Sequence, residues 1–166
     1  GLAIGDVVEE FNGVKIYYNG AVGNSIGRRR AADGYNFGQG FQCVEFVKRY
    51  YYEKLDHRMP NTWGHAKDFF DTRIADGEVN PARALLQFRN GAGAKPKVDD
   101  LIIFGPGLFN SFGHVAIVSE VGDDQIEIAQ QNPGPRGASR VNLDLRNEGG
   151  GWRVANDRVL GWLRMP

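Results

Sequence analysis

Gln42-Cys43-Val44-Glu45-Phe46-Val47-Lys48-Arg49-Tyr50-Tyr51-Tyr52 holds the only cysteine of this chain. Two glycines, Gly38 and Gly40, break the approach, and the stretch from Gln42 to Tyr52 reads as a helix with Cys43 in its first turn. Glu45 and Arg49 stand at the i,i+4 spacing that supports a helix, and Val44, Val47 and Tyr51 form its candidate buried stripe. A thiol at a helix N-terminus feels the positive end of the aligned peptide dipoles. The position therefore predicts a thiolate-favouring cysteine, with a pKa below the free value of about 8.5. Further along, Gly113-His114-Val115-Ala116-Ile117-Val118 sets a histidine at the head of an apolar run. One cysteine at a helix start and one histidine on a strand are the parts of a Cys-His hydrolase.

The histidine also opens a hairpin, with His114 to Val121 and Gln125 to Gln130 as its strands. An odd-length loop centred on Asp123 would keep the even-numbered residues of both strands on one face. His114, Ala116 and Val118 would share that face with Ile126, Ile128, Gln130 and Asn132, and His114 would neighbour Gln130 or Asn132 according to register. A side-chain amide oxygen there can accept the imidazole N–H and fix its tautomer and ring angle. The candidate catalytic residues are thus Cys43, His114, Gln130 and Asn132. His114 withdraws the Cys43 proton, sulfur attacks an amide carbonyl, and water later hydrolyses the acyl-thioester. The Cys43 backbone N–H and the Gln42 side chain are the candidate oxyanion donors. The scheme calls for no metal and no other cofactor.

The rest of the chain supplies a frame. Val7 to Phe11 and Val14 to Tyr18 flank Asn12-Gly13, the signature of a type I′ hairpin. Residues 19–42 read as one long loop, a length that suits a binding loop or lid. A second helix is expected from Asn61 or Thr62, with Trp63, Ala66 and Phe69-Phe70 on one face. Asn80-Pro81 has the order of a third helix start, although Leu86-Gln87-Phe88-Arg89 alternates like a strand. Beyond Lys95, strands are expected at Leu101 to Phe104, His114 to Val121, Gln125 to Gln130, Val141 to Leu145 and Val159 to Leu163. Helices early and strands late predict an α+β fold with an antiparallel sheet, over a single domain at 1–166.

Composition narrows the partners. Lys plus Arg equals Asp plus Glu at 20 each, so no global field steers the chain to nucleic acid or anionic lipid. Arg28-Arg29-Arg30 is basic but isolated and reads as a solvated loop. His57 and His65 read as surface residues without zinc-ligand spacing, and Asp33-Gly34-Tyr35-Asn36 has too few carboxylates for a calcium loop. Trp63, Trp152 and Trp162 read as core or groove walls. No apolar stretch approaches a membrane span. A lone cysteine excludes an internal disulfide. The chain opens on Gly1, taken as the trace of a removed segment, either a signal peptide or a tag; an extracytoplasmic or secreted location is the expectation, with a cytoplasmic one as the alternative.

These motifs resemble the CHAP family, cysteine- and histidine-dependent amidohydrolases/peptidases of the papain-like, NlpC/P60 superfamily. The likeness rests on Gln42-Cys43-Val44-Glu45-Phe46, Gly113-His114-Val115-Ala116-Ile117-Val118 and Ile128-Ala129-Gln130-Gln131-Asn132. Trp63-Gly64-His65-Ala66-Lys67-Asp68 is similar to the family's intervening helix, and Lys95-Pro96-Lys97-Val98-Asp99-Asp100-Leu101-Ile102-Ile103-Phe104 to its pre-histidine strand. Gly13-Val14-Lys15-Ile16-Tyr17 and Val159-Leu160-Gly161-Trp162 extend the resemblance towards the amidase domains of glutathionylspermidine synthetase/amidases. It implies a papain-like fold, its nucleophile helix packed on an antiparallel sheet. One departure stands out: Gln130 occupies the position where such relatives carry glutamate. A neutral amide can orient an imidazolium there but cannot neutralise it.

Three functions follow from the resemblance. The first is a monomeric hydrolase of amide bonds in peptidoglycan, the second an amidase of a small conjugate such as glutathionylspermidine. The third is a weakly active binding module, suggested by Gln130.

Overall fold

In a computed structural model, which describes residues 1–107 and 110–166, the first hairpin forms as its turn demands. β1 (Val7–Phe11) pairs antiparallel with β2 (Val14–Tyr17), and Asn12 and Gly13 take φ of 48° and 82°. Both central residues are left-handed, as a type I′ turn requires. The region read as one long loop contains a two-stranded ribbon, β3 (Arg28–Arg30) with β4 (Asn36–Gln39). The helix α1 runs from Cys43 to Leu55 and ends at left-handed Asp56, whose N–H bonds the Tyr51 carbonyl. Phe46, Val47, Tyr50 and Tyr51 are its buried apolar face.

The second expected helix shrinks to a 3₁₀ turn at Ala66–Phe69. The carbonyls that would start it are taken from below: Arg83 Nη1 donates to Asn61 O at 2.8 Å, Lys48 Nζ to Thr62 O at 2.8 Å, and Arg83 Nη2 to Trp63 O at 3.1 Å. A carbonyl pointed at a cation is unavailable to an i+4 amide. The third expected helix is absent as well. Asn80 ends a short strand, β5 (Val79–Asn80), and spends its side-chain amide on Phe69 O and Gln87 Oε1 instead of capping. Leu85–Arg89 forms β6, so the alternating pattern prevails over the Asn-Pro signal.

The remaining strands are β7 (Leu101–Phe104), β8 (His114–Val121), β9 (Gln125–Ala129), β10 (Arg140–Glu148), β11 (Gly151–Val154) and β12 (Val159–Arg164). They join β5 and β6 in an antiparallel sheet of order β11-β10-β9-β8-β7-β12-β6-β5. This is the expected α+β architecture, with one α-helix. On one face α1 packs its apolar side against Leu101, Ile103, Val115, Ile117, Ala129 and Leu163. On the other, Ala116, Val118, Ile126 and Ile128 meet Leu145, Val154 and Trp162, residues from well-separated strands, so the sheet curls over itself.

The β8–β9 hairpin reaches its parity by a different route from the expected one. Gly122 N–H donates to Gln125 O at 2.8 Å, closing a two-residue turn at Asp123-Asp124, not an odd loop. An even turn alone would put even residues opposite odd ones. A register shift between Val118 and Glu120 adds one residue and restores even-to-even pairing, Val118 with Ile128. Without that bulge, Gln130 would face away from His114.

A buried polar network fastens α1 to the end of β9. Glu45 pairs with Arg49 at 2.6 Å, with the Glu45 side chain wholly buried. Gln131, also wholly buried, donates to Gln42 O at 2.8 Å and Glu45 Oε1 at 3.1 Å and accepts from Tyr17 N–H at 3.0 Å. Arg49 adds a bond to Lys15 O at 2.8 Å. Glu45→Ala, which strands Arg49 without its counterion, should lower stability by about 3–5 kcal/mol, and Glu45→Gln by less. Urea unfolding followed by far-UV circular dichroism reads both.

Candidate active site

α1 begins where Phe41, at a left-handed φ of 65°, turns the chain, and Gln42 occupies the N-cap position without a side-chain cap. Cys43 is therefore the first helical residue, half-buried, and lies against β8. The backbone N–H groups of Val115, Val44 and Cys43 itself act on the thiol to lower its pKa. The Val115 contact brings the thiol to the residue next to His114. Gly113 makes that entry possible. It sits at φ +76°, and a Cβ there would stand 2.6 Å from Phe104 O. Only glycine fits so close an approach in that conformation.

His114 Nε2 and Gln130 Oε1 are 2.8 Å apart. The amide's orientation is fixed from behind, because Gln130 Nε2 donates to Ala138 O at 2.8 Å. Gln130 Oε1 is thus the acceptor, His114 Nε2 carries the proton, and Nδ1 keeps the lone pair. Register leaves His114 diagonal to Gln130, and Asn132 goes elsewhere: its Nδ2 donates to Val22 O at 2.8 Å while its buried Oδ1 has no partner. Gln42 Nε2 reaches Asn24 O at 3.3 Å. His114 and Gln130 are thus joined by a hydrogen bond, while Cys43, Gln42 and Asn132 line one cleft together with Gly113, the residue before His114.

The electrostatics reverse one expectation. Burial pushes the Cys43 thiol up to about 11, against three N–H contacts that lower it. Loss of hydration outweighs the helix N-terminus here. Burial also takes His114 down to about 4, with the Gln130 hydrogen bond opposing and Arg158 adding to the fall. Thiol and imidazole are therefore both neutral at rest.

The cleft above the sulfur encloses about 530 Å³. Trp63 and Phe112, 56% and 53% exposed, stand on its walls, with His65 stacked 4.3 Å from Phe112 and Arg28 4.3 Å from Trp63. His65 thus lines the cleft, whereas His57 is tied to Arg83 O at 2.8 Å as a framework residue. Trp63 is a groove wall and Trp162 is core. Arg28 departs from its expected solvated-loop role. Sequence reasoning missed Gln131, whose odd position beside Gln130 points to the helix face and could have shown it. Among the described residues, no three His, Cys, Asp or Glu side chains gather as metal ligands, and no helix is long and apolar enough to cross a membrane.

Between pH 4 and 6.5 an unfolded His114 would bind a proton that the folded one refuses, so stability must fall as pH drops through that window. The loss approaches about 3 kcal/mol at its acid end. Urea unfolding at pH 7 and pH 4.5 should show this fall in the native protein and a smaller one in His114→Gln.

Known proteins are similar to this chain in sequence. The family profile described as CHAP domain matches residues 32–132. Trypanothione synthetase of Crithidia fasciculata is 31% identical over 150 residues, which cover 84% of this chain and 23% of that protein. The bifunctional glutathionylspermidine synthetase/amidase of Escherichia coli (strain K12) is 31% identical over 147 residues, covering 81% and 23%. Endolysin PlyTW of Staphylococcus phage Twort is 27% identical over 108 residues, covering 63% and 21%. The chain thus spans under a quarter of the length of these relatives.

Proposed function

Because this chain belongs to the CHAP domain family, we propose that it hydrolyses an amide bond, with Cys43 as nucleophile and His114 as general base. The observation that carries the reading is the 2.8 Å bond from His114 Nε2–H to a Gln130 oxygen held from behind. It leaves Nδ1 as the basic atom of the ring one residue before Val115, whose backbone N–H acts on the Cys43 thiol.

Both groups start neutral, so proton transfer and attack are coupled. Nδ1 takes the thiol proton as the S–C bond forms, and the carbonyl oxygen becomes an oxyanion facing the Cys43 backbone N–H and the Gln42 side chain. Collapse breaks the C–N bond, and the imidazolium returns its proton to the leaving amine. Water then gives a proton to Nδ1 while attacking the acyl-thioester, releasing the acid and the thiol. Gln130 orients this ring without neutralising its transient charge, and Asn132 positions the 22–24 wall. The oxyanion role of Gln42 uses the amide hydrogen left free by its bond to Asn24.

The substrate we favour is an amide of peptidoglycan. An open cleft with exposed aromatic walls suits an extended chain, and endolysin PlyTW is among the relatives. A small conjugate such as glutathionylspermidine is the second reading, favoured by the match to a glutathionylspermidine synthetase/amidase over 81% of the chain.

Incubation with purified peptidoglycan should release fragments detectable by mass spectrometry, and Cys43→Ala should reduce release by at least about 10³-fold. Release of free spermidine from glutathionylspermidine, with inert peptidoglycan, would select the second reading. Neither product from the native protein would end the hydrolase proposal.

Iodoacetamide labelling of Cys43 should climb steadily from pH 7 towards about 11, following the raised thiol. Gln130→Glu, which supplies a counter-charge to imidazolium, should shift that climb to lower pH. A flat, fast profile in the native protein would mean a preformed thiolate.

A further inference from the structure

We propose that the Arg28 end of the cleft is a specificity subsite for a free carboxylate on the substrate. This inference rests on reading Cys43 as the nucleophile of an amide hydrolase and adds the class of substrate it takes. Arg28 is exposed and its guanidinium lies 4.3 Å over the Trp63 ring, with both residues on the cleft wall. One nitrogen, Nη1, is held at 3.0 Å by Asn36 Oδ1, and Asn36 is itself anchored on Thr62 O at 3.0 Å. The guanidinium is therefore held over an indole, with no ion-pair partner among the described residues. A planar guanidinium with unused donors matches the two oxygens of a carboxylate.

The surroundings strengthen this sign of charge. Lys48 is wholly buried and bonds a carbonyl, Thr62 O, and no carboxylate. Arg83 is 2% exposed, bonds the Asn61 and Trp63 carbonyls, and leaves its buried Nε without an acceptor. Asp68 is the carboxylate that acts on Arg83, while Arg83 and Arg28 both act on Lys48. Two buried cations thus hold the 61–63 carbonyls while a third, Arg28, stands on the wall itself, and the described cleft lining contains Arg28 and His65 but no Asp or Glu. Burial first, and then repulsion from Arg83 and Arg28, take Lys48 down to about 7. An anion docked on Arg28 would relieve that repulsion.

Substrates of an amide hydrolase are built from amino acids, whose free acid is a carboxylate. Peptidoglycan stem peptides carry one, and so does the glutathionyl half of glutathionylspermidine. The spermidine half is a polycation and would be repelled from this end.

The test is binding to Cys43→Ala protein, measured by calorimetry, of a stem peptide and of glutathionylspermidine, each also made with its carboxylates as carboxamides. At least one ligand should bind about tenfold more tightly as the acid, a size set by one charge-assisted contact at a partly exposed site. Arg28→Gln on the same background should erase that preference, whereas Arg28→Lys should keep its direction and Arg30→Gln its full size. Which ligand shows it tells the carboxylate's source. No preference in either ligand, no binding of either, or a preference that survives Arg28→Gln would overturn the subsite. Because no turnover is involved, a native protein that discriminates acids yet cleaves nothing would sink the hydrolase reading and leave the subsite standing. Thermal melts of each variant check that the fold is retained.

Discussion

The wholly buried Gln131 amide is the joint on which the site depends. Its nitrogen holds Gln42 O and Glu45, and its oxygen takes the Tyr17 N–H, so the start of α1, the first hairpin and the end of β9 meet at one side chain. Glu45 and Arg49 complete the network with a buried ion pair. Buried polar groups are costly unless every partner is present, and this makes the arrangement discriminating. A small slide of α1 along the sheet would break several bonds together. The neighbours of Gln131 on either side are Gln130, which bonds His114, and Asn132, which bonds the 22–24 wall. Three consecutive side chains therefore link α1, the His114 imidazole and the cleft wall.

Desolvation sets the character of the cysteine. A helix N-terminus favours a thiolate by a modest electrostatic term, which the cost of removing water from around the anion can outweigh. Here removal prevails, and the imidazole, with a neutral partner, is also easier to keep uncharged. A glutamate at position 130 would oppose this by stabilising imidazolium in a low-dielectric setting. Gln130 thus supplies orientation to the ring without adding a charge beside it. Orientation survives because Ala138 O fixes the amide and the amide fixes the ring.

The cations beneath the cleft have a double role in the fold. Lys48 and Arg83 hold the carbonyls of Asn61, Thr62 and Trp63, which stops a helix and presents Trp63 on the wall. The same positive charge is left facing Arg28 with little to balance it. Structural and recognition demands are thus met by one cluster, at the cost of a lysine that burial and its neighbours strain towards neutrality.

Much was legible from local chemistry. The Asn12-Gly13 turn, the start of α1 at Cys43 and strands β7, β8 and β12 follow from short-range turn, capping and alternation rules, which depend on neighbours in the chain. The pairing of His114 with Gln130 was legible only as a choice of two, because register turns on a bulge at Ser119 that alternation does not reveal. The helix expected near Asn61 failed for a long-range reason, carbonyls captured by side chains from α1 and residue 83. The thiol's pKa and the place of Arg28 were likewise undetermined by sequence. Both are set by how much water and charge the folded chain leaves around a group, and burial is a sum over distant segments. The residues themselves fixed which groups were available to react; only packing decided which of them would be wet, paired or charged.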